Sequence, residues 1–397
     1  MQVISGEIDR QMGGASWIRK MFEKGLELKK QFGEDKVFDF SLGNPDIPPP
    51  VKIREVMIGL ADEVVKPFGL GYCPNAGIPA FREALAEKMS VQQRVPVKAG
   101  NIVVTCGAAG ALTAFFRAVL EPGDEVLCPA PYFVEYGSYC GHFGGKLKAI
   151  PALPPDFQID IAAMEAAVTE RTRVVLINTP NNPTGCVYTP ETLRQLAEMV
   201  NRVNQGREKP VYLLSDEPYR EIAYDGVEVA PVLPLTPYAM VLGSFSKSLS
   251  MPGERIGYLV ANPALPEVEK LVAAVTMTVR TLGFVNAPVL GQKLAIRLLD
   301  EKIDLDRYAR RRSMMAQVLS DAGIEFSMPQ GAFYMFPKAP GGDDQRFVNA
   351  LLDENVLGVP GAGFGYPGHI RLSYSVEERV ISGSADAFKR AADKVRG

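Results

Sequence analysis

The feature that most restricts this chain is a series of short, continuously apolar runs separated by segments of helical period. NIVVTC (101–106) leads into the helical ALTAFFRAVL; DEVLCP, KLKAIP and TRVVLIN (172–178) follow, then a helix from 190 to about 203. PVYLLSD (210–216), YAMVLGSF and IGYLVA complete the series. Strands without in–out alternation need cover on both faces, and strands separated by helices pair in parallel. The pattern therefore predicts an α/β domain on a mostly parallel central sheet, with helices on both faces.

The flanking segments read differently. ASWIRKMFEKGLELKKQ, from Gly14 to about Lys30, has the period of an amphipathic helix, and KVFDFSLGNPDIPPP is a short strand running into a proline-rich crossing. From about Gln292 the pattern changes to one long helix, the short apolar runs IEFSMP and AFYMFP, a helix at DQRFVNALLDENV, and HIRLSYS. That suits a smaller α+β domain, which the N-terminal helix is expected to join. The expected boundaries are 1–50 for an N-terminal arm and part of the small domain, 51–291 for the large domain, and 292–397 for the small C-terminal domain.

Bulk properties exclude several function classes. A net charge of −3, with 22% charged residues, gives no reason to expect a nucleic acid or an anionic membrane as partner. No apolar run approaches the ~20 residues of a membrane span, and MQVISGEIDRQMGG carries acidic charges where a leader would be basic and then apolar. A cytoplasmic location is expected. The five cysteines are an odd number with no C-x-x-C pair, so neither a disulfide framework nor a thiolate zinc site is indicated. Two histidines and no H-E-x-x-H leave little for imidazole catalysis or a metal, and no metal is expected. A lysine is then a candidate for the acid–base work.

In open α/β sheets ligands sit beyond the carboxyl ends of the strands, and four such ends carry chemistry here. After the first comes Gly107-Ala108-Ala109-Gly110 opening a helix, a small-residue turn that serves packing or lets an anion approach free N–H groups. After Asn178 comes TPNNPTG, a rigid turn that also presents amides. SDEPYREIAY puts Asp216 at a buried strand end, where a carboxylate needs a cationic partner unless it caps a helix, with Tyr219 three residues on. SFSKSLSMPGERIGY puts Lys247 after the last of these strands; alone, it reads as a surface lysine at a helix start. Together, a phosphate nest, an amide, a carboxylate and an amine match pyridoxal 5′-phosphate, which offers a phosphate, a phenolic oxygen, a pyridine nitrogen and an aldehyde that lysine can take as a Schiff base.

With NNPTG, SDExYxxIxY, SxSKxxxxPGxRxGY and RLSYS in that order, the chain resembles the fold-type I, pyridoxal-phosphate-dependent aminotransferases, in particular the aspartate aminotransferase subgroup, over essentially its whole length. The resemblance implies a Lys247 aldimine, Asp216 paired with the pyridine nitrogen, and Asn182 and Tyr219 on the phenolic oxygen. It assigns the phosphate to the turn Gly107, Ala108, Ala109, to Ser244 and to Arg255. Phe133 would stack on the ring, where the family often has tryptophan. Tyr72 would reach the phosphate of the neighbouring subunit, making a homodimer with shared active sites the catalytic unit. Arg371 would take the substrate α-carboxylate, with Gly43 alongside and Asn182 also near the substrate.

Substrate choice is less determined. Bacterial relatives often have a lysine after the glycine pair of the phosphate turn to read a distal carboxylate, and this chain has Ala109. Arg280, in TVRTLGFVNAP, either recognises a carboxylate side chain or is a surface arginine on a helix. The expected reaction moves an amino group between an L-amino acid and a 2-keto acid, glutamate and 2-oxoglutarate with aspartate, alanine or an apolar partner. A carbon–sulfur β-lyase on the same fold, or a non-catalytic ligand-binding module, are the other readings.

Overall fold

A computed structural model describes residues 3–13 and 17–397. The chain divides into a large unit, Pro45–Leu305 with Gln330–Ala332, and a small unit formed by the residues up to Asn44, Asp306–Pro329 and Phe333–Gly397.

The strands are, in chain order, β1 (Phe38–Asp39), β2 (Ile102–Cys106), β3 (Glu125–Ala130), β4 (Lys146–Pro151), β5 (Thr172–Asn178), β6 (Tyr212–Asp216), β7 (Ala239–Ser244) and β8 (Ile256–Ala261). They continue with β9 (Tyr334–Met335), β10 (Val356–Leu357), β11 (Val359–Pro360) and β12 (Ile370–Ser373).

In the large unit β2 to β8 form one seven-stranded sheet of order β2-β8-β7-β6-β5-β3-β4. β8 pairs antiparallel with both β2 and β7, while β7-β6-β5-β3-β4 pair in parallel. The carboxyl ends of β2 to β7 therefore share one edge. The expected α/β architecture is thus present, with β8 the reversed strand. All seven residues of β5 are buried, as a central strand covered on both faces requires. On one face the helices Gly107–Val119 and Val268–Thr281 pack Leu112, Phe115, Phe116, Val272 and Val275 onto Val103, Val174, Leu214 and Leu242. Pro190–Asn204 starts as its sequence dictates: Pro190 occupies the first turn and Thr189 accepts the Thr192 N–H.

In the small unit β11, β12 and β9 form an antiparallel sheet and β1 pairs with β10 in parallel. Asp343 caps Asp344–Asp353 by accepting the Arg346 N–H. Phe40 packs on Phe388 with ring centroids 5.9 Å apart.

Some expectations need correction. The start of the first amphipathic helix at Gly14 lies outside the described residues; helices run over Gly6–Gly13 and Trp17–Phe32. The long helix from Gln292 is two helices, Val289–Arg297 and Leu305–Asp321, because the charged DEKID between them offers no apolar stripe to bury. IEFSMP forms no strand: its Glu325 carbonyl accepts one backbone bond from Lys338 N, and Pro329 has no N–H to extend a ladder. The helices Ile53–Val64 and Pro79–Gln93 are additional to the expected elements. Among the described residues, no helix is long and apolar enough to cross a membrane.

Candidate active site

At the end of β2 the chain turns sharply into a helix. Gly107 has φ +72°, in the region that favours glycine, and a Cβ there would stand 2.7 Å from Arg255 Nη2. The exposed Arg255 guanidinium is therefore laid against the turn, where Ala108 and Ala109 begin the helix with N–H groups that have no intrahelical acceptor. Gly257 comes so close from β8 that a Cβ on it would be 2.4 Å from the Gly107 carbonyl carbon. The buried Ser244, at the end of β7, accepts the Ser246 N–H at 3.1 Å and donates to Ser246 Oγ at 2.7 Å. Small residues, a guanidinium, hydroxyls and free helix amides converge as a phosphate requires.

Lys247, half-buried, follows in the short helix Phe245–Ser248 capped by Ser244. Its Nζ lies 5.9 Å from the centroid of the buried Tyr219 ring. Asn178 clips two neighbouring strand ends together: its Nδ2 donates to the Asp216 carbonyl (2.8 Å), and its Oδ1 accepts the Asn182 N–H (2.7 Å). The buried Asn182 is thereby fixed beside Asp216's strand.

The Asp216 carboxyl is only 5% exposed. Oδ2 accepts the Tyr136 hydroxyl at 2.6 Å, while Oδ1 is buried with no hydrogen-bond partner among the described residues. Among the described residues, a phenol and not a cation is the side-chain partner of this carboxyl. Burial pushes the Asp216 carboxyl up from 3.8 to about 7; the Tyr136 hydrogen bond lowers it and the neighbouring charge of Glu217 raises it. Burial, with Asp216 itself, holds Tyr136 well above the ordinary phenol range, so it remains a donor. Phe133 lies edge-on to Tyr136, ring centroids 5.5 Å apart.

In the small unit Arg371, on β12, is 2% exposed. Its Nη2 donates to the Ser41 carbonyl at 2.5 Å, and its guanidinium carbon is 4.9 Å from the ring centroids of both Tyr334 and Phe364. Asp39 fixes that carbonyl's residue by accepting both the Ser41 N–H and hydroxyl. At Gly43 a Cβ would lie 2.0 Å from the Tyr334 hydroxyl, so no side chain fits.

Tyr72 and Arg280 are also on the large unit. Tyr72 is 90% exposed and, with Leu70, Asn286, Pro288 and Leu290, lines a shallow hollow. Arg280 is on the exposed side of Val268–Thr281, whose other face is core. Sequence reasoning missed Tyr136, Ser246 and Asn178. Asn178 could have been found as the polar end of an apolar strand and Ser246 as a hydroxyl beside Lys247; Tyr136, among the aromatics of APYFVEYGSY, carried no distinguishing mark.

A buried, unpartnered carboxylate oxygen suits a protonated ring nitrogen, and a glycine turn closed by a guanidinium suits a phosphate. The residues present fit pyridoxal 5′-phosphate.

The comparisons agree. The family model for aminotransferase class I and II matches residues 35–388. The Aquifex aeolicus protein named "Probable aspartate/prephenate aminotransferase" is 35% identical over 392 residues, 94% of each chain. The aspartate/prephenate aminotransferase of Thermus thermophilus is 34% identical over 377 residues, covering 92% of this chain and 93% of the relative. Among solved structures, an amino transferase from Eubacterium rectale superposes with TM-score 0.95 at 36% identity over 100% of both chains. Thermus thermophilus aspartate aminotransferase with maleate gives 0.86 at 30% identity, covering 98% of this chain and 100% of that one. The chain belongs to the class I and II aminotransferases. It is a pyridoxal-phosphate-dependent aminotransferase of fold type I, similar to the aspartate aminotransferases.

Proposed function

We propose that this chain moves an amino group between an L-amino acid and a 2-keto acid, with Lys247 as the lysine that condenses with the cofactor and carries the proton. The observation behind the proposal is the buried, unpartnered Asp216 Oδ1 on the sheet edge that also carries Lys247. Bound pyridoxal phosphate supplies an aldehyde and a ring that withdraws electrons from the substrate Cα.

The residues divide the remaining work. Asp216 Oδ1 accepts the ring N–H and favours its charged form. Asn182 and Tyr219 hold the phenolic oxygen, and Phe133 stacks on the ring. The amides of Gly107, Ala108 and Ala109, the Ser244 hydroxyl and Arg255 hold the phosphate. Lys247 Nζ would take the proton from the substrate Cα and carry it to the carbon that had been the cofactor's aldehyde carbon. Arg371 takes the α-carboxylate as a two-pronged donor, its guanidinium fixed between Tyr334 and Phe364. Gly43 lies alongside that carboxylate, its missing side chain making way for the Tyr334 hydroxyl.

Aspartate is the donor that the named relatives suggest, with glutamate and 2-oxoglutarate as the complementary pair. Ala109 puts no cation in the phosphate turn for a distal carboxylate, which keeps alanine and apolar donors in the proposal, while Arg280 is the residue proposed to read an acidic one. A homodimer with shared sites is proposed as the working form. Phe68 (94% exposed), Leu70 (58%) and Tyr72 (90%) support it as a cluster of exposed apolar surface. A cytoplasmic location belongs to the same proposal.

The test is the visible spectrum of the purified holoenzyme with single additions of L-aspartate, L-alanine, L-glutamate and L-phenylalanine, no keto acid present. Stoichiometric loss of the yellow band with one of them, restored by 2-oxoglutarate and absent in Lys247→Ala, is the expected result. Release of pyruvate and ammonia without a keto acid, or turnover that survives Lys247→Ala, would overturn the proposal.

A further inference from the structure

Tyr136 lies deep behind the site. It opens the helix Tyr136–Gly141 and is fully buried, with its ring held edge-on by Phe133 at 5.5 Å. Its hydroxyl therefore has little freedom, and it points at one oxygen of Asp216, 2.6 Å away. A carboxyl can present either oxygen by rotating about its last bond, so one strong, fixed donor decides which oxygen is left over.

We propose that Tyr136 is a positioning residue for Asp216: by clamping Oδ2 it leaves Oδ1 as the oxygen that meets the ring nitrogen of the cofactor. The inference rests on the reading of Asp216 given above. The surroundings make the clamp consequential. Glu217 and Tyr219 follow Asp216 in the chain, Cys128 faces it from β3, and Tyr139 from the same helix as Tyr136. Glu217 is already engaged, accepting from the Ser215 hydroxyl (2.8 Å), from Gln93 Nε2 (3.2 Å) and from Arg220 Nη1 (2.7 Å), and its charge works against ionisation of Asp216. The Tyr136 hydroxyl is the opposing influence: it favours the charged carboxylate that a protonated ring nitrogen needs.

Tyr136→Phe keeps the ring and removes only the hydroxyl. In cofactor-free protein, the Asp216 carboxyl band can be isolated by infrared difference against Asp216→Asn and followed from pH 5 to 9. Loss of a hydrogen bond to a charged group should move its midpoint up by about one pH unit or more in Tyr136→Phe, and weaken pyridoxal phosphate binding about tenfold. In an Asp216→Asn background the same substitution should leave cofactor affinity unchanged. 3-Fluorotyrosine placed at position 136, a stronger donor of nearly the same size, should move the midpoint down, and it serves if Tyr136→Phe does not fold. An unmoved midpoint in either variant would overturn the proposal and leave Tyr136 as packing. If Asp216→Asn itself left cofactor affinity untouched, the reading of Asp216 would fall instead, whatever the midpoint did.

Discussion

Replacing Asp216 by asparagine should stabilise the cofactor-free protein, and more so as the pH rises. The carboxyl is buried with one oxygen unpartnered, and burial raises it from 3.8 to about 7. The native state therefore binds a proton more tightly than the unfolded chain, so the stability tied to this group is fully present below pH 3.8 and is lost as the pH rises towards 7. Between pH 5 and pH 8 linkage puts that loss at about 3 kcal/mol, at 1.36 kcal/mol per pH unit. Asparagine keeps the shape and an acceptor for Tyr136 but cannot ionise. Urea unfolding of cofactor-free wild type and Asp216→Asn at pH 5, 6, 7 and 8 should show curves that diverge with pH, the variant the more stable. Bound pyridoxal phosphate, by placing a cation on Oδ1, should cancel much of the divergence. Parallel pH dependences in the cofactor-free proteins would refute the reasoning, because the carboxyl would then be compensated by something other than the cofactor.

Two further substitutions test the two halves of the chemistry. Gly107→Ala should cost about 1 kcal/mol of stability for the positive φ and, by displacing Arg255, weaken pyridoxal phosphate binding about tenfold in an absorbance titration; unchanged affinity would remove the phosphate from this turn. Arg371→Lys should raise KM for the amino acid roughly 10- to 100-fold, the worth of a lost charge-assisted hydrogen bond, with cofactor affinity unchanged. Equal losses in both would make Arg371 a structural residue.

The large sheet was legible because its central strands carry runs of consecutive apolar residues, VVLI in β5 and YLL in β6, which a two-sided cover explains; β5 and β8 begin and end where their sequences do. The polar residues at those strand ends were legible for the same reason, since a lysine or aspartate is conspicuous after an apolar run. What sequence left out is long-range pairing. Tyr136 and Asp216 are eighty positions apart, and nothing in APYFVEYGSY says which of its aromatics turns inward. The small unit was less legible because its strands are two to four residues long and draw on segments from both ends of the chain. Too few residues repeat there for a period to emerge.

The close approach of Gly257 to the Gly107 turn also bears on how the sheet is assembled. In the native alignment Gly257 stands across from Ser244 on β7 and Thr105 on β2. If the reversed strand slipped by one position during folding, Ile256 or Tyr258 would arrive where even a single carbon stands 2.4 Å from the Gly107 carbonyl carbon. Such misaligned states cannot close. The cramped contact thus ties the register of the reversed strand to the shape of the turn that opens the helix Gly107–Val119.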